Sequence, residues 1–396
     1  MQLIRIVVFI TALAVVLNAS FIDNYFHTSQ NTDTPAEILQ DEYSDSFFEK
    51  ARVGIEHSHF SDIEREYTLR LYTKDPFGMQ VEKEIFNLSK NSFRVKEDIE
   101  KFRILKEKYL FLVKMIYFHQ YRQIINSEIT YLKQIMQKMR YSLDNESDII
   151  AYDKKRTLLH EKELEMLQWD QKYRTLIVRL EESTGLEQTQ LINELNMNLF
   201  QDDFTLIGFI KKDLEENNSS RQHPLFEYYN QKTRLEQNKE ALLTTQEHIK
   251  LDNIEVKYDD SKKRKNALSL SVAFEVPFTH NSNKLLENKI KIYDAKKKAQ
   301  SVLHEIDEKN RILTIDMQNL IAYYYEVENI YSDKINSANN ISYKIYENKR
   351  KKRIKYEKEK LKTLYVLTQK YISYLYWSGK ITSSSFYKFF TKQGMR

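Results

Sequence analysis

Between Ala267 and Ala299 the chain passes from one hydrophobic period to another. Leu268, Leu270, Val272, Phe274 and Val276 alternate with Ser269, Ser271, Ala273 and Glu275, and the run closes on Pro277-Phe278. Strict period-two alternation predicts one strand with one apolar face. After a polar turn at 279–283, Ile292, Ala295, Ala299, Val302 and Ile306 recur three or four residues apart, which predicts a long helix. The strand is long enough to cross an outer membrane, where a tilted β-strand needs ~9–11 residues. Alone in hydrocarbon each of its unpaired amides and carbonyls would cost several kcal/mol, so a membrane strand here demands a closed barrel. A strand in a small soluble α+β domain is the alternative that this stretch leaves open.

The same order of patterns occurs earlier. Val53, Ile55, His57 and His59 alternate, and a second strand puts Tyr67, Leu69 and Leu71 opposite Thr68, Arg70 and Tyr72 before Pro76-Phe77-Gly78. A helix then runs from Met79 to about Tyr141 without proline or glycine; Val95, Ile99 and Phe102, then Ile129, Leu132, Met136, Met139 and Leu143, keep a coiled-coil seam. Sixty helical residues make a rod of roughly 90 Å. A polar break at 144–148 turns the chain into a return helix that ends at Gly185. The segment 186–221 is less regular, and His223-Pro224-Leu225 opens a helix reaching about Ile249. Ile254, Val256 and Tyr258 then alternate in a strand that a charged loop joins to Leu268–Val276. The helix after it continues through Leu313, Met317, Leu320, Tyr324, Val327 and Tyr331, breaks at 335–340 and returns as far as Gly379. A break at 356–363 is disfavoured, because that segment is rich in helix formers and would leave too short a return.

These patterns divide the chain into 1–19, a signal peptide; 20–49, a lead-in; 50–78 and 252–278, two β-hairpins; 79–185 and 279–379, two long helical hairpins; 186–251, an intervening segment with its own helix; and 380–396, a tail. Pro76-Phe77 and Pro277-Phe278 lie 201 positions apart and the helix-ending glycines Gly185 and Gly379 lie 194 apart. The seven-residue difference is one heptad, which a coiled coil absorbs without losing its seam. The chain is therefore an internal repeat.

Composition narrows the address. Arg5, the apolar run Ile6–Leu17 and the small residue Ala19 read as a secretory signal, too short to span as a helix. Only 6 glycines and 4 prolines in 396 residues leave few turns, hence long elements. No cysteine is present, so neither a disulfide nor a lipid-bearing cysteine is available. A net charge of +5 from 62 basic and 57 acidic residues is too balanced to imply nucleic acid. The 27 tyrosines, with abundant Asn, Lys and Ile, suggest AT-rich coding more simply than a stacking surface.

No nucleophile, phosphate-binding loop or cofactor motif is visible, which argues against an enzyme. His57 and His59 share a strand face and are weak metal candidates, two ligands being too few for a site. Asp144, Glu146 and Asp148 at the first helical break, and Asp333, Asn336 and Asn339 at the second, are candidate gate residues; the competing reading is a solvated helix turn. The basic run Lys344–Lys362 would suit an anionic partner surface or a solvated coiled-coil face.

The signal peptide, the twofold repeat, the strand Leu268–Val276 ending in Pro277-Phe278, the Ala295/Ala299 helix and His223-Pro224-Leu225 together resemble outer-membrane efflux proteins of the TolC kind, over roughly Phe48–Gly379. The turn Thr279-His280-Asn281-Ser282-Asn283 and the lack of a glycine at the second break depart from that family. The resemblance implies a mainly α chain with a small β part, in which long antiparallel coiled-coil hairpins accompany four transmembrane strands. It further implies a homotrimer forming a 12-stranded barrel and a helical tunnel, set in the lipid of the bacterial outer membrane and extending into the periplasm. Such a channel is a passive exit duct, without cofactor, joined through a periplasmic adaptor to an inner-membrane transporter and gated at its periplasmic tip. Four strands per chain cannot close a barrel, whereas three copies supply twelve. A secreted or periplasmic coiled-coil scaffold without a pore is the other reading.

Overall fold

Strand-strand-helix-helix occurs twice in the chain. A computed structural model describes residues 25, 43, 46–58, 64–141, 146–185, 187–195, 197–215, 223–245, 250–260, 267–276, 282–335, 343–382 and 387–390. The first occurrence is β1 (Phe48–Ser58), β2 (Glu64–Thr73), α1 (Pro76–Met139) and α2 (Glu146–Thr184), followed by the short α3 (Gln188–Glu194) and α4 (Asp203–Glu215). The second is α5 (Pro224–Thr245), β3 (Lys250–Asp260), β4 (Ala267–Glu275), α6 (Ser282–Ile335) and α7 (Tyr343–Trp377), with a last turn α8 (Tyr387–Phe390). The protein is mainly helical with one small sheet. The signal peptide and Pro277-Phe278 lie outside the described residues.

Helix ends follow local chemistry. Asp75 precedes α1, Pro76 takes its first position, and the Gly78 amide donates to Asp75 Oδ2 at 3.1 Å; an acidic cap followed by proline is a preferred start. The helix thus begins three residues before the Met79 expected from the hydrophobic pattern. Gly379 ends α7 at φ 72°, with Lys380 N donating to Leu375 O at 2.9 Å and Gly379 N to Tyr376 O at 3.1 Å. Those are the two bonds of a Schellman cap, and a left-handed residue there favours glycine. Gly185 closes α2 at φ 69° in the simpler form, through its amide and Glu181 O at 2.7 Å. α6 ends at Ile335 and α7 begins at Tyr343, the residues expected to form the second break from Asn336 to Asn340 lying outside the described residues, and 356–363 lie inside α7.

The chain forms two compact units. One comprises Asp33–Ile99 and Pro224–His304 and holds the sheet, the start of α1, α5 and the start of α6. Within it Asn288 Nδ2 donates to Glu236 O at 2.8 Å and Asn238 Nδ2 to Glu84 Oε2 at 3.1 Å, tying α5 to α6 and to α1. Ile292, Ala295, Ala299 and Val302 are its buried face on α6.

The other unit comprises Met1–Thr32, Glu100–His223 and Glu305–Arg396. Its core includes Leu112, Met115 and Ile116 of α1, Leu180 of α2, Leu206, Ile207 and Ile210 of α4, Met317 of α6 and Leu364 and Leu367 of α7. The irregular segment expected at 186–221 is therefore a working part of this core. Polar links pass between its helices. Asp203 at the start of α4 is buried and accepts from the Tyr324 hydroxyl and from Lys360. Burial and the neighbouring Asp203 and Glu328 raise the Tyr324 phenol far above its usual range. Asp213 at the other end of α4 accepts from Tyr371 at 3.1 Å and Lys380 at 2.9 Å.

His223 is buried against Phe102, Tyr376 and Trp377. Burial lowers its imidazole from 6.5 to about 4, although a hydrogen bond to the Tyr376 backbone acts the other way. A folded-state value below the unfolded one means that stability is complete above pH 6.5 and is lost as pH falls from 6.5 toward 4. The loss approaches ~3 kcal/mol at the foot of that window. Denaturation midpoints measured from pH 7 to pH 4 will show the decline, and His223→Phe will flatten it.

Candidate functional site

The four strands form one antiparallel sheet in the order β1-β2-β3-β4. Register places Val53, Leu69, Val256 and Leu270 in one row. Ala51, Leu71, Ile254 and Val272 form the next, and Ile55, Tyr67, Tyr258 and Leu268 the one beyond. Since successive residues of a strand point to opposite faces, these rows make one face apolar across all four strands. That face is not a core. Val53 is 76% exposed, Leu268 72%, Leu270 70% and Phe274 63%, whereas a monomer in water rarely exposes a contiguous apolar patch of this kind.

The opposite face is polar in every row. Arg52, Arg70, Glu255 and Ser271 align, as do Gly54, Thr68, Lys257 and Ser269. Arg70 pairs with Glu255 at 2.6 Å, Lys257 reaches Glu255 at 3.1 Å and Glu66 at 3.0 Å, and Lys250 pairs with Glu275 at 3.0 Å. Lys50 lies over the Tyr72 ring at 4.5 Å and Arg52 at 5.5 Å. Opposite charges directly across a strand pair stabilise it, and the pairs here run over β2, β3 and β4.

The strand predicted at Leu268–Val276 is β4, with a correction at its end: pairing stops at Glu275 and Val276 lies just beyond it, exposed. The ladder of Arg70, Glu66, Glu255 and Lys257 was not singled out from the sequence. Alternation in β2 and β3 marked those residues as the polar side, but only register shows that they face one another.

Glu146 and Asp148 lie in the first turn of α2, the end at which acidic side chains are favoured by the helix dipole. Asp333 falls in the last turn of α6. Asp144, Asn336 and Asn339 lie outside the described residues. His57 lies in β1 opposite Arg65, and His59 is outside the described residues. Among the described residues no group of three or more His, Cys, Asp or Glu is placed to hold a metal ion, and no helix is long and apolar enough to cross a membrane.

The basic run on α7 resolves into specific contacts. Lys358 pairs with Glu128 of α1 at 2.6 Å, Lys351 with Glu347 at 2.9 Å and Arg353 with Glu357 at 2.9 Å. Lys155 of α2 also reaches Glu347. The run thus joins α7 to α1 and α2.

Neither a scan against protein-family models nor a search of curated proteins finds a match to the sequence. Solved structures with the same fold include the outer membrane protein VceC of Vibrio cholerae, at 8% identity and TM-score 0.57 over 90% of this chain and 92% of that one. The MtrE outer membrane channel of Neisseria gonorrhoeae, in its open state, gives 8% identity and TM-score 0.57 over 92% and 88%. The CmeC outer membrane channel of Campylobacter jejuni gives 10% and 0.50 over 93% and 83%. At these identities the likeness is one of fold, and it extends over nearly the whole chain. The fold is that of the TolC-like outer-membrane channels.

Glu255 is the acceptor shared by Arg70 and Lys257, so Glu255→Ala will lower the thermal midpoint of the detergent-solubilised protein. Ser271→Ala in the same row removes no partner and will leave it unchanged.

Proposed function

We propose that this chain is an outer-membrane channel, the passive exit duct of a tripartite export system. The observation that carries the reading is the sheet: one face apolar across four strands and exposed on β1, β2 and β4, the other a ladder of paired charges. Strands of 11, 10, 11 and 9 residues match the ~9–11 needed to cross the hydrocarbon layer. In that setting the apolar face meets lipid and the charged face meets a water-filled lumen.

Among the described residues the sheet has two open edges, β1 and β4, and open edges are not tolerated in hydrocarbon. Joining the β4 edge of one copy to the β1 edge of the next, around three copies, gives a closed barrel of twelve strands. A coiled-coil scaffold in water would have to leave Leu268, Leu270 and Phe274 uncovered, which counts against that reading. Such a duct performs no chemistry and requires no cofactor. It depends on an inner-membrane transporter for energy and on a periplasmic adaptor to reach it.

Gating belongs to the helical breaks. Glu146, Asp148 and Asp333 stand at helix ends beside the breaks, and threefold repetition would make rings of carboxylates. Such rings at a constriction select cations and repel one another, so a closed tip needs packing to hold it and a docked adaptor to open it. Asp144, Asn336 and Asn339 belong to the same two breaks.

The test is the mass of the detergent-extracted protein together with its conductance in a planar bilayer. A trimer with discrete conductance is expected, and Asp333→Ala will raise that conductance severalfold. Leu270→Asp will abolish membrane insertion. A soluble monomer that leaves the bilayer silent would replace this reading with the scaffold.

A further inference from the structure

The two halves of the repeat differ in charge where their long helices leave the sheet. The first stretch of α1, 76–98, carries four basic and four acidic side chains. The stretch of equal length that opens α6, 282–304, carries six lysines against Glu287 and Asp294. Both halves need the same apolar seam, so packing does not call for the excess of lysine on α6.

That excess borders a groove of about 640 Å³ between α5 and α6, inside the unit that holds the sheet. Lys232 and Lys239 line it from α5 and Lys291 and Lys298 from α6, against the two acids Glu236 and Asp294. Two contacts set the heights. Asn288 Nδ2 donates to Glu236 O at 2.8 Å, and Lys298 Nζ lies over the Tyr229 ring at 6.0 Å. The helices are therefore antiparallel, and Lys232, between Tyr229 and Glu236 in α5, stands across from the turn of α6 that carries Lys291 and Asp294. Glu236 is buried and already holds Lys239 at 2.7 Å. Lys232, Lys291, Asp294 and Lys298 are exposed, and among the described residues none of the four makes an ion pair within 4 Å. Contact with the Tyr229 ring steadies Lys298 without cancelling its charge. The other charges of 224–245 and 282–304 do not reverse the balance, because Glu227, Glu240 and Glu287 are outnumbered by five further basic residues.

We propose that this groove binds an anion carrying two phosphate groups, one held between Lys232 and Lys291 and the other at Lys298. Ammonium groups presented from both walls of one groove repel each other when it is empty, and an anion between them relieves that repulsion. Lysine suits phosphate as a compact point charge on a flexible stem. Lys291 and Lys298 lie two turns apart, roughly 10 Å along α6, so a single phosphate engages one end of the site and a ligand with two engages all three free lysines. A soluble diphosphate and a lipid headgroup with two phosphates offer the same chemistry. The site is distinct from the sheet ladder and from the helical breaks, and it does not rest on the channel reading.

The test uses two probes on the full-length protein in detergent. Inorganic pyrophosphate is titrated by calorimetry, and cardiolipin, a lipid with two phosphates, is counted by native mass spectrometry as molecules retained per chain. The variants are K232Q/K291Q and K296Q/K297Q, the second removing the same charge from α6 outside the groove lining. All four positions are exposed, so both variants will keep the wild-type thermal midpoint. Saturable pyrophosphate binding that weakens about tenfold for each lysine lost in K232Q/K291Q, and is unchanged in K296Q/K297Q, identifies a soluble ligand. Cardiolipin retained by the wild type and by K296Q/K297Q but lost from K232Q/K291Q identifies a lipid headgroup, and either result supports the site. Binding of neither probe, binding that K232Q/K291Q leaves intact, or equal loss in both variants would overturn it. None of these readouts depends on conductance, so their failure leaves the channel reading standing, and a silent bilayer leaves the groove standing.

Discussion

Backbone amides and carbonyls at the edges of the sheet impose the constraint on which the rest of the molecule depends. Among the described residues β1 pairs only with β2, and β4 only with β3. In water the unpaired edge groups would be solvated at little cost. In the channel proposed above, the exposed leucines, valines and phenylalanine of the apolar face would put the sheet in hydrocarbon instead, where each unsatisfied group costs several kcal/mol. One chain cannot meet both demands. Lipid would cover the apolar face, but only further strands can close the edges, so assembly is a condition of the sheet's existence in the membrane. The charged ladder on the other face follows from the same premise, since it needs a wet interior.

The helical unit solves a different problem, that of joining long helices through contacts that carry direction. Apolar seams alone do this weakly because they repeat. The polar contacts are where tyrosine enters: Tyr324 to Asp203, Tyr371 to Asp213, and Tyr109 to the Thr382 carbonyl at 2.9 Å. Each ring fills core volume while its hydroxyl reaches a polar partner, which phenylalanine cannot do. The tyrosine content that composition assigns to coding bias therefore includes residues with defined structural work.

Legibility varied with the strength of local periodicity. β4 could be read because its alternation is unbroken for nine residues, and the long helices because their seams lack proline and glycine. Helix caps were readable from Gly185 and Gly379. The start of α1 was missed by three residues because Pro76-Phe77 resembled a strand end, whereas Asp75 makes it a helix start. Segment 186–221 gave little because α3 and α4 are short and are held by distant partners such as Tyr324 and Lys360, which no local pattern announces. The sheet ladder was hidden for the same reason: alternation sorts residues between faces, and pairing across some 185 positions, as for Arg70 and Glu255, is a property of register.

Register is also the problem that the basic run on α7 addresses. A heptad seam of leucines and isoleucines packs nearly as well after a slip of seven residues, and a slipped hairpin would carry its end out of place relative to its neighbours. Charges break this degeneracy in one direction. Lys358 meets Glu128 and Lys360 meets Asp203; a slip of seven that put Tyr365 and Leu367 in their places would strand both carboxylates, whereas a slip the other way would offer Lys351 and Arg353 instead. An unpaired buried charge is far more costly than a paired one is stabilising. The ion pairs therefore contribute less to the depth of the native state than to its uniqueness. The proposed duct, assembled from several copies, would require that property above raw stability, because the ends of all its hairpins would have to stop at the same height.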